Sequence, residues 1–426
     1  MKDRLRAHFA ATVQALDRRL REWTPRCAAK ARNAAARGGG VLVIAFGKAA
    51  RPMATSLLAV LPPQTVRGLL VPPEPDDAPL PPLEVIPGGH PLPTAGSFRA
   101  AQRALELCRA VTPTDHVVFL VSGGGSAMLE LPLAEAVGVA DWRAFYRALV
   151  GCGAPIDRMN AIRRRLSQVK GGRLALAAAA AAGQMTILAR DVRGPIEDVA
   201  SGPTCDFTDA ADTLRADLDE FGLLRSLPAP LREAVTQGTI PPLPELPAPA
   251  NKRAWATVLD EGYAQHQFAA RLADDVAIVE SADDVDDLPY EVAARRLLER
   301  LAKLAAAHPG TRVAIVTTGE LSVPLPDDAG VGGRNQQFVL ACARQIEGRP
   351  ITVLSAGTDG IDGNSPAAGA IVDGTTMARA RAAGFDADDA LRRCDAFPLL
   401  AALGDTIVTG PTGTNVRDLR VLVHDG

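Results

Sequence analysis

The sequence predicts an α/β protein, because apolar strands alternate with amphipathic helices along most of the chain, and its 426 residues indicate two or three domains. Helical spacing is clear at Asp3–Trp23 and Tyr290–Ala307. The proline-rich segment Gly238–Ala250 has no periodic pattern, which favours a linker between domains. Four apolar runs indicate buried strands: Val41–Phe46, Val117–Val121, Met185–Ala189 and Ile351–Ala356.

The composition excludes several classes of protein. The net charge is −3, so no basic surface indicates a nucleic-acid partner or an anionic membrane. The six cysteines are scattered without a CxxC pair, which predicts a reduced, cytoplasmic protein with free thiols. The alanine-rich tract Leu174–Ala182 is too short to span a bilayer, and the charged N-terminus is not typical of a signal peptide.

The strand Val117–Val121 leads into the most informative turn of the chain. Glycine allows a ligand to approach the main chain closely, and Ser126 is a plausible N-cap for the helix that follows. Backbone N–H groups in such a turn can hold a phosphate, although a tight turn without a ligand has the same pattern. The turn consists of Ser122, Gly123, Gly124, Gly125 and Ser126.

Two further candidates lie in the first hundred residues. Lys48 follows the strand Val41–Phe46, and the carboxyl ends of strands in open α/β sheets are where ligands bind. The chain has no GxxxxGK[ST], so Lys48 is not a Walker lysine; the alternative is a solvated surface lysine. His90 ends a proline-rich excursion, where it contacts either a ligand or a local hydrogen-bond partner.

The segment Asp157–Ala182 predicts two helical pieces separated by two glycines. Its first piece contains Asn160, and helical spacing places Arg163, Ser167 and Lys170 on one face. That face is either an anion-binding surface or a solvated charged surface. After the next strand, Asp191 is a candidate Mg²⁺ ligand or a turn cap.

The second half of the chain repeats the pattern of a strand followed by a polar turn. Glu320 follows the strand Val313–Val316. Arg334 lies in the first turn of a helix predicted to end near Ile346, where an arginine opposes the helix dipole, which favours a functional role. The remaining candidates are Asp359 after the strand Ile351–Ala356, and Thr412 and Asn415 before the last strand, Leu419–Val423, which we expect to close the sheet.

These turns indicate one kind of chemistry. Strand ends lie along one edge of a sheet, so cations, main-chain anion cradles and carboxylates are expected there together. Phosphoryl transfer from a nucleotide with Mg²⁺ needs these groups to position and neutralise the phosphates. The protein-kinase motifs HRD and DFG are absent, and so is the GxGxxG of a standard dinucleotide site.

The motifs together resemble the glycerate 2-kinases that carry a C-terminal MOFRL domain, some of which are labelled hydroxypyruvate reductases. The resemblance covers nearly the whole chain. It rests on AFGKAA (45–50), GGHPLP (88–93), SGGGSAM (122–128), MNAIRRRLSQVKGGRLA (159–175), ASGPT (200–204), GGRNQQF (332–338), GTDGIDG (357–363) and TGPTGTNVRDL (409–419).

The resemblance implies a Rossmann-like parallel-sheet domain at residues 1–240 and an α/β domain at 251–426, with its MOFRL region at about 310–424 and the active site in the cleft. It further implies ATP, a divalent cation and transfer to the 2-hydroxyl of D-glycerate. Lys48 and Arg334 match the important lysine and arginine of the family. We expect Asp191 and Glu320 to bind Mg²⁺, and Asp359 to orient or deprotonate the hydroxyl.

The chain departs from the family pattern in three loops, at residues 190–195, 255–263 and 283–290. These departures leave the acceptor open to another small hydroxy acid. A catalytically silent paralogue and a reductase are the remaining alternatives. We expect ATP and a small hydroxy acid as partners, with a homodimer as an open option.

Overall fold

The computed structural model describes residues 1–191, 193–207, 213–246 and 252–426. The fold divides into two compact units. We call Arg19–Val258 the parallel-sheet unit, and Met1–Arg18 together with Leu259–Gly426 the mixed-sheet unit. The end of the predicted linker at 238–250 and one residue of the divergent loop at 190–195 lie outside the described residues. No helix of the described ranges is long and apolar enough to cross a membrane.

The strands follow the predicted apolar runs closely. Those of the first sheet are β1 Val41–Phe46, β2 Val66–Val71, β3 Glu84–Val85, β4 His116–Ser122, β5 Gly183–Ala189 and β6 Arg253–Leu259. Those of the second sheet are β7 Ile278–Ala282, β8 Val313–Gly319, β9 Ile351–Gly357, β10 Gly369–Asp373, β11 Thr406–Ile407 and β12 Asp418–His424.

The helices fill the intervals between the strands. In the first half of the chain they are α1 Lys2–Cys27, α2 Ala29–Ala36, α3 Ala50–Leu58, α4 Ala95–Arg109, α5 Gly125–Met128, α6 Val139–Gly151, α7 Ile156–Leu166, α8 Arg173–Ala177, α9 Leu214–Glu220 and α10 Ala229–Thr236. In the second half they are α11 Glu261–Leu272, α12 Tyr290–Ala307, α13 Arg334–Gln345, α14 Thr376–Ala382, α15 Ala387–Arg392 and α16 Ala396–Ala402.

The sheet of the parallel-sheet unit has the strand order β3-β2-β1-β4-β5-β6, and strands β1 to β5 pair in parallel. This is the strand order of a Rossmann fold, which confirms the α/β prediction. The order reverses between β1 and β4, so the turns that follow these two strands lie side by side at the carboxyl edge. This topological switch point is where open α/β sheets bind their ligands.

The mixed-sheet unit has the order β11-β10-β9-β12-β8-β7. Strand β12 lies between β8 and β9 and is antiparallel to both, so it fills the centre of the sheet. Its first residue, Asp418, is therefore paired with the last residues of the neighbours, Gly319 and Gly357. Helices α12 and α13 cover the sheet with fully buried side chains such as Leu297 and Phe338, each of which contributes about 2 kcal/mol by burial.

The first eighteen residues pack with the mixed-sheet unit. The domain division at 1–240 and 251–426 stays a prediction. Lys2 Nζ lies 2.9 Å from Asp405 Oδ1, and His8 Nε2 lies 2.7 Å from Asp275 Oδ2. Such contacts join residues about 270 to 400 positions apart, and no local pattern of the sequence indicates them.

The carboxylate of Asp405 offers a test of this grouping. It is almost fully buried, and it also accepts a hydrogen bond from Arg379 Nη2 at 2.6 Å. We expect Asp405→Ala to lower the free energy of unfolding by about 2 kcal/mol, because it removes the carboxylate paired with the partly buried Arg379 and leaves Lys2 with only the more distant Asp373. Urea denaturation measures the free energy of unfolding of wild type and variant. The control is Glu347→Ala at the exposed Arg381 pair, for which we expect a loss below about 1 kcal/mol. Equal losses would contradict this grouping.

Candidate functional site

The turns after β1 and β4 are bonded to each other at the switch point of the parallel sheet. The backbone N–H of Lys48 donates to the carbonyl oxygen of Gly123 at 2.9 Å, and that of Ala49 donates to Ser122 Oγ at 2.9 Å. Ser122 is buried, so its hydroxyl joins the two turns. Lys48 is thus held beside the glycine-rich turn, as the sequence pattern suggested for a ligand-binding edge.

The glycines of this turn are required by close contacts. A Cβ atom at Gly123 would overlap the carboxylate of Asp191, which follows the neighbouring strand β5. Gly124 has a φ of 78°, and a Cβ atom there would lie 2.8 Å from His90 Cδ2. The turn therefore brings Asp191 and His90 against the backbone that precedes α5.

A pocket of about 200 Å³ opens beside this turn. A chain of hydrogen bonds forms one wall: Ser126 Oγ lies 3.1 Å from Ser201 Oγ, and Ser201 Oγ donates to Asn160 Oδ1 at 2.9 Å. Arg163 Nη1 also donates to Asn160 Oδ1, at 3.2 Å. The polar side chains that line the pocket are His90, Ser126, Tyr146, Asn160, Arg163, Asp191 and Asp198.

The backbone is strained at two residues beside this chain of hydrogen bonds. Ala200 and Ser201 have φ values of 51° and 60°, in the left-handed region that non-glycine residues rarely occupy. Such outliers cluster at active sites and ligand clamps, where the surrounding structure holds them. The sequence indicated a small-residue loop here but not Ser201 itself, whose role depends on contacts with distant residues.

His90 is neutral at physiological pH. Desolvation by the surrounding protein, and secondly the positive charge of Lys48, lower the pKa of His90 to about 4. The imidazole can therefore act as a hydrogen-bond donor or acceptor at the pocket, while the nearby positive charge comes from Lys48.

The predicted anion-binding helix face at Arg163, Ser167 and Lys170 is wrong. Helix α7 ends at Leu166, and Ser167 has extended backbone angles. Beyond it the chain turns inward: Lys170 is fully buried, and its Nζ lies 2.8 Å from Glu130 Oε2. The prediction from helical spacing is wrong because the helix ends one turn earlier than expected. Lys170 is therefore removed from the set of ligand-binding residues.

In the mixed-sheet unit, Arg334 lies at the edge where β8, β9 and β12 meet. Its Nε and Nη2 donate to the two carboxylate oxygens of Asp418 at 2.6 and 3.1 Å, and Nη2 lies 2.9 Å from Glu320 Oε1. About a third of the Arg334 side chain remains exposed, whereas Asp418 is buried. The guanidinium is thus fixed on one side and accessible on the other.

The charges of this cluster stabilise one another. Burial favours the neutral form of Arg334, but the Asp418 carboxylate overcomes it and raises the pKa of Arg334 further above its usual value. Burial likewise opposes ionisation of Asp418, yet Arg334 lowers the pKa of that carboxyl. The buried Arg420 adds a second cation, with Nη2 3.2 Å from Asp418 Oδ2. Arg334 therefore keeps its positive charge at any physiological pH.

A carboxylate offsets the unfavourable position of Arg334 at a helix N-terminus. Asp362 accepts hydrogen bonds from the backbone N–H groups of Asn335 and Gln336, both at 3.0 Å, and so caps α13. Burial, with Asp418 adding to it, raises the pKa of Asp362 to about 6. The sequence placed this residue in the aspartate–glycine loop but did not indicate that it caps the helix.

The divergent segment at 283–290 supports Glu320. Asp286 Oδ1 accepts the backbone N–H of Glu320 at 2.8 Å, and both Asp286 oxygens accept hydrogen bonds from Arg417 at 2.6 Å. The neighbouring backbone is also paired, since the Asp287 N–H donates to the Glu320 carbonyl oxygen at 2.8 Å. In the sequence this segment is only a departure from the family pattern, and nothing there indicates that it supports Glu320.

The loops that carry Asp359, Thr412 and Asn415 are bonded together. The backbone N–H of Thr412 donates to the Asp359 carbonyl oxygen at 3.0 Å, and Thr412 Oγ1 donates to the Thr358 carbonyl oxygen at 2.6 Å. Asn415 is buried, and its Oδ1 accepts the backbone N–H of Arg417 at 3.1 Å. In these contacts Thr412 and Asn415 shape the loop around Asp359.

The described residues contain no group of three or more histidine, cysteine, aspartate or glutamate side chains that could hold a metal ion by themselves. The two predicted Mg²⁺ ligands belong to different units, Asp191 to the parallel-sheet unit and Glu320 to the mixed-sheet unit. Carboxylate oxygens suit Mg²⁺, which often binds one or two of them and takes its other ligands from phosphates and water. Each residue fits that role only with a phosphate-bearing substrate present.

Two family models match the chain. A domain of unknown function, DUF4147, matches residues 4–236, and the MOFRL family matches residues 313–418. The first match alone covers more than half of the chain.

Three named relatives each match over about nine-tenths of the chain. The chain is 33% identical over 389 residues to a D-glycerate 2-kinase of Thermotoga maritima, with 89% of each chain covered. It is 30% identical over 401 residues to a glycerate 2-kinase of Pyrococcus horikoshii, covering 90% of this chain and 87% of that one. An Agrobacterium vitis protein provisionally named hydroxypyruvate reductase is 34% identical over 399 residues, with coverage of 90% and 87%.

A solved structure agrees with these relatives. The crystal structure of glycerate kinase from Thermotoga maritima superimposes with a TM-score of 0.82 at 29% identity and covers 99% of both chains. The family resemblance deduced from the motifs is confirmed. The chain therefore belongs to the glycerate kinase family that carries the DUF4147 and MOFRL regions.

Proposed function

We propose that this protein is a D-glycerate 2-kinase, which transfers the γ-phosphoryl group of ATP to the 2-hydroxyl of D-glycerate. The observation that carries the proposal is Arg334, fixed by the buried Asp418 with one side of its guanidinium accessible. The names of the relatives from Thermotoga maritima and Pyrococcus horikoshii support the same reaction.

Lys48 and the glycine-rich turn are the proposed phosphate-binding groups of the parallel-sheet unit. Phosphoryl transfer depends on positioning the phosphates and neutralising their charge as it develops. The backbone N–H of Lys48 donates to Gly123 in that turn, so the main chain that carries the cation is fixed beside the turn. The backbone at Gly123–Ser126 would hold phosphate oxygens, and Lys48 would neutralise the transferring group.

Arg334 is the second cation proposed to act on the transferring phosphoryl group. Its planar fork can bind two oxygens of a phosphate or of a carboxylate. Because Asp418 holds the opposite side of the guanidinium, the side chain needs little further ordering when a ligand binds.

The acceptor acid is proposed to bind in the pocket beside Ser126. At about 200 Å³ this pocket suits a three-carbon acid better than a nucleotide, since pockets for larger ligands span about 300–1,000 Å³. Arg163 supplies donors for its carboxylate, and His90 can bond a hydroxyl. Asn160 positions Arg163 through its Oδ1, while its Nδ2 donates to Asp198. Asp359 is proposed to orient or deprotonate the attacking hydroxyl, although it belongs to the mixed-sheet unit.

Mg²⁺ is proposed as the cofactor; Asp191 is the candidate ligand in the parallel-sheet unit and Glu320 the candidate ligand in the mixed-sheet unit. When bound, the ion would neutralise phosphate oxygens and orient them. A cytoplasmic location and a homodimer stay predictions.

A reductase is the second candidate, because an Agrobacterium vitis relative is named for that activity. The glycine-rich turn lacks the GxGxxG spacing of a standard dinucleotide site, which argues against it. Loss of NADH with hydroxypyruvate would favour the reductase, whereas binding of ATP without turnover would indicate a silent paralogue.

The proposal predicts release of ADP from ATP and Mg²⁺ when D-glycerate is added. We expect Lys48→Ala to reduce kcat about 10²- to 10³-fold, because it removes a charge that stabilises the transition state. The matched control is Lys303→Ala on the exposed face of α12, which should leave kcat unchanged. A coupled ADP assay with D-glycerate and a panel of small hydroxy acids measures both.

Release of ADP only with another acid would keep the mechanism and change the acceptor. Undiminished release by Lys48→Ala would contradict the role of Lys48.

The protonation of His90 gives a second prediction. Its pKa of about 4 in the folded protein lies below the unfolded value of about 6.5. Its contribution to stability is therefore complete above about pH 6.5 and lost as the pH falls toward about 4. Titration of the imidazole by NMR should give the low pKa. Lys48→Met should raise it, because one cation that disfavours the imidazolium is removed.

His116 in the same unit is the internal control: burial, Arg37 and Lys30 lower its pKa and Lys48 does not contribute, so the pKa of His116 should not change in Lys48→Met. A pKa of His90 near 6.5 in the wild type, or no rise in Lys48→Met, would show that this account of the pocket is wrong.

A further inference from the structure

We infer that Glu130, Lys170 and Tyr146 form a buried positioning cluster for the glycine-rich turn, and that the turn depends on it for activity. The inference rests on the proposed function, since it treats the turn as the phosphate-binding element. Glu130 and Lys170 do not line the acceptor pocket, whereas the Tyr146 side chain does. The cluster would act through the backbone of α5 and through Arg163.

The cluster is isolated from solvent. Glu130 is 0% exposed, and Lys170 and Tyr146 are each 1% exposed. Lys170 Nζ lies 2.8 Å from Glu130 Oε2, and the Tyr146 hydroxyl makes a short hydrogen bond to the same oxygen. Glu130 Oε1 accepts the backbone N–H of Leu131 at 2.9 Å. Each of the three charged or hydroxyl groups thus has a partner inside the protein.

The cluster satisfies the backbone at the end of the glycine-rich turn. Helix α5 has only four residues, so its last carbonyl groups have no partner within the helix. Lys170 Nζ donates to the Leu129 carbonyl oxygen at 3.1 Å. The Tyr146 hydroxyl lies 3.2 Å from the Ser126 carbonyl oxygen, so its single proton is shared between Ser126 and Glu130.

The same cluster supports the wall of the acceptor pocket. The Arg163 guanidinium lies over the Tyr146 ring, 5.4 Å from its centroid, and Arg163 also bonds Asn160. Tyr146 therefore contacts both the turn, through Ser126, and the proposed carboxylate-binding arginine. A shift of the ring would move both ligand-binding elements together.

Stability alone does not account for a buried pair of this kind. The desolvation of two buried charges largely cancels their attraction, so replacing both with neutral groups often leaves stability unchanged. Removal of only one charge is strongly destabilising, because the other remains buried without its partner. This asymmetry allows a structural role and a positioning role to be separated by experiment.

The experiment compares Glu130→Gln, Lys170→Met and the double variant with wild type. The exposed pair Glu84–Arg103, replaced as Glu84→Gln with Arg103→Met, is the matched control in the same unit. Thermal unfolding reports stability, steady-state kinetics report kcat and KM, and hydrogen exchange by mass spectrometry reports the order of the peptide 122–131.

We expect both single variants to unfold at lower temperature, and the double variant to recover most of that loss. Its kcat should nevertheless stay about 10²-fold below wild type, because a misplacement of about 1 Å costs that much. Exchange of the peptide 122–131 should be faster than in wild type. The surface double variant should match wild type in every measurement. Recovery of both stability and kcat in the buried double variant would overturn the inference.

Tyr146→Phe still tests the inference if the charge variants fail to fold. It retains the ring beneath Arg163 and removes only the hydroxyl, so the fold should persist. We expect faster exchange at 122–131 and a lower kcat. Wild-type exchange and kcat in this variant would overturn the inference. The exchange measurement needs no turnover, so it decides the positioning role even where the proposed kinase activity is not found.

Discussion

The pairing of Arg334 with the buried carboxylate of Asp418 is the interaction on which the mixed-sheet site depends. Asp418 occupies this place because β12 runs antiparallel between β8 and β9, which puts its first residue beside their last residues. Glu320 and Arg420 then complete a cluster of alternating charge around it. A buried carboxylate needs such partners, and in satisfying them the fold presents an ordered guanidinium at the sheet edge.

The parallel-sheet unit holds its candidate ligand-binding turns in place by hydrogen bonds of the backbone. The switch point between β1 and β4 places two turns side by side, and hydrogen bonds from Lys48 and Ala49 join them. Asp191 packs against Gly123 of the glycine-rich turn, and the Glu130–Lys170–Tyr146 cluster packs against the end of that turn. The parallel-sheet unit thus places Lys48 by backbone hydrogen bonds, whereas the mixed-sheet unit places Arg334 by the buried carboxylate of Asp418.

Local patterns explain what the sequence predicted well. Strand β1 and helix α12 have the predicted bounds, because a continuous apolar run and a clear amphipathic spacing leave few alternatives. Lys48 and the glycine-rich turn are predicted site residues because each follows a strand directly, and Arg334 is one because it begins helix α13. Their placement at strand ends and helix starts needed only neighbouring residues.

Long-range partners explain what the sequence did not predict. Glu130 lies in an apolar stretch and Asp418 lies between two arginines, and the importance of each comes from a cation distant in the chain, Lys170 and Arg334 respectively. Lys170 was misjudged for the same reason, since helical spacing cannot show that the chain turns inward at Ser167. The grouping of the first eighteen residues and the central position of β12 likewise depend on pairings between distant segments.

The measurement that tests the central claim most directly is ³¹P NMR of the product formed from ATP and D-glycerate. The account predicts a phosphomonoester on the carbon-2 hydroxyl, 2-phosphoglycerate, in amounts equal to the ADP released. Phosphate on the carbon-3 hydroxyl, or inorganic phosphate alone, would contradict the assignment of the 2-hydroxyl as the acceptor held beside Arg163 and Asn160.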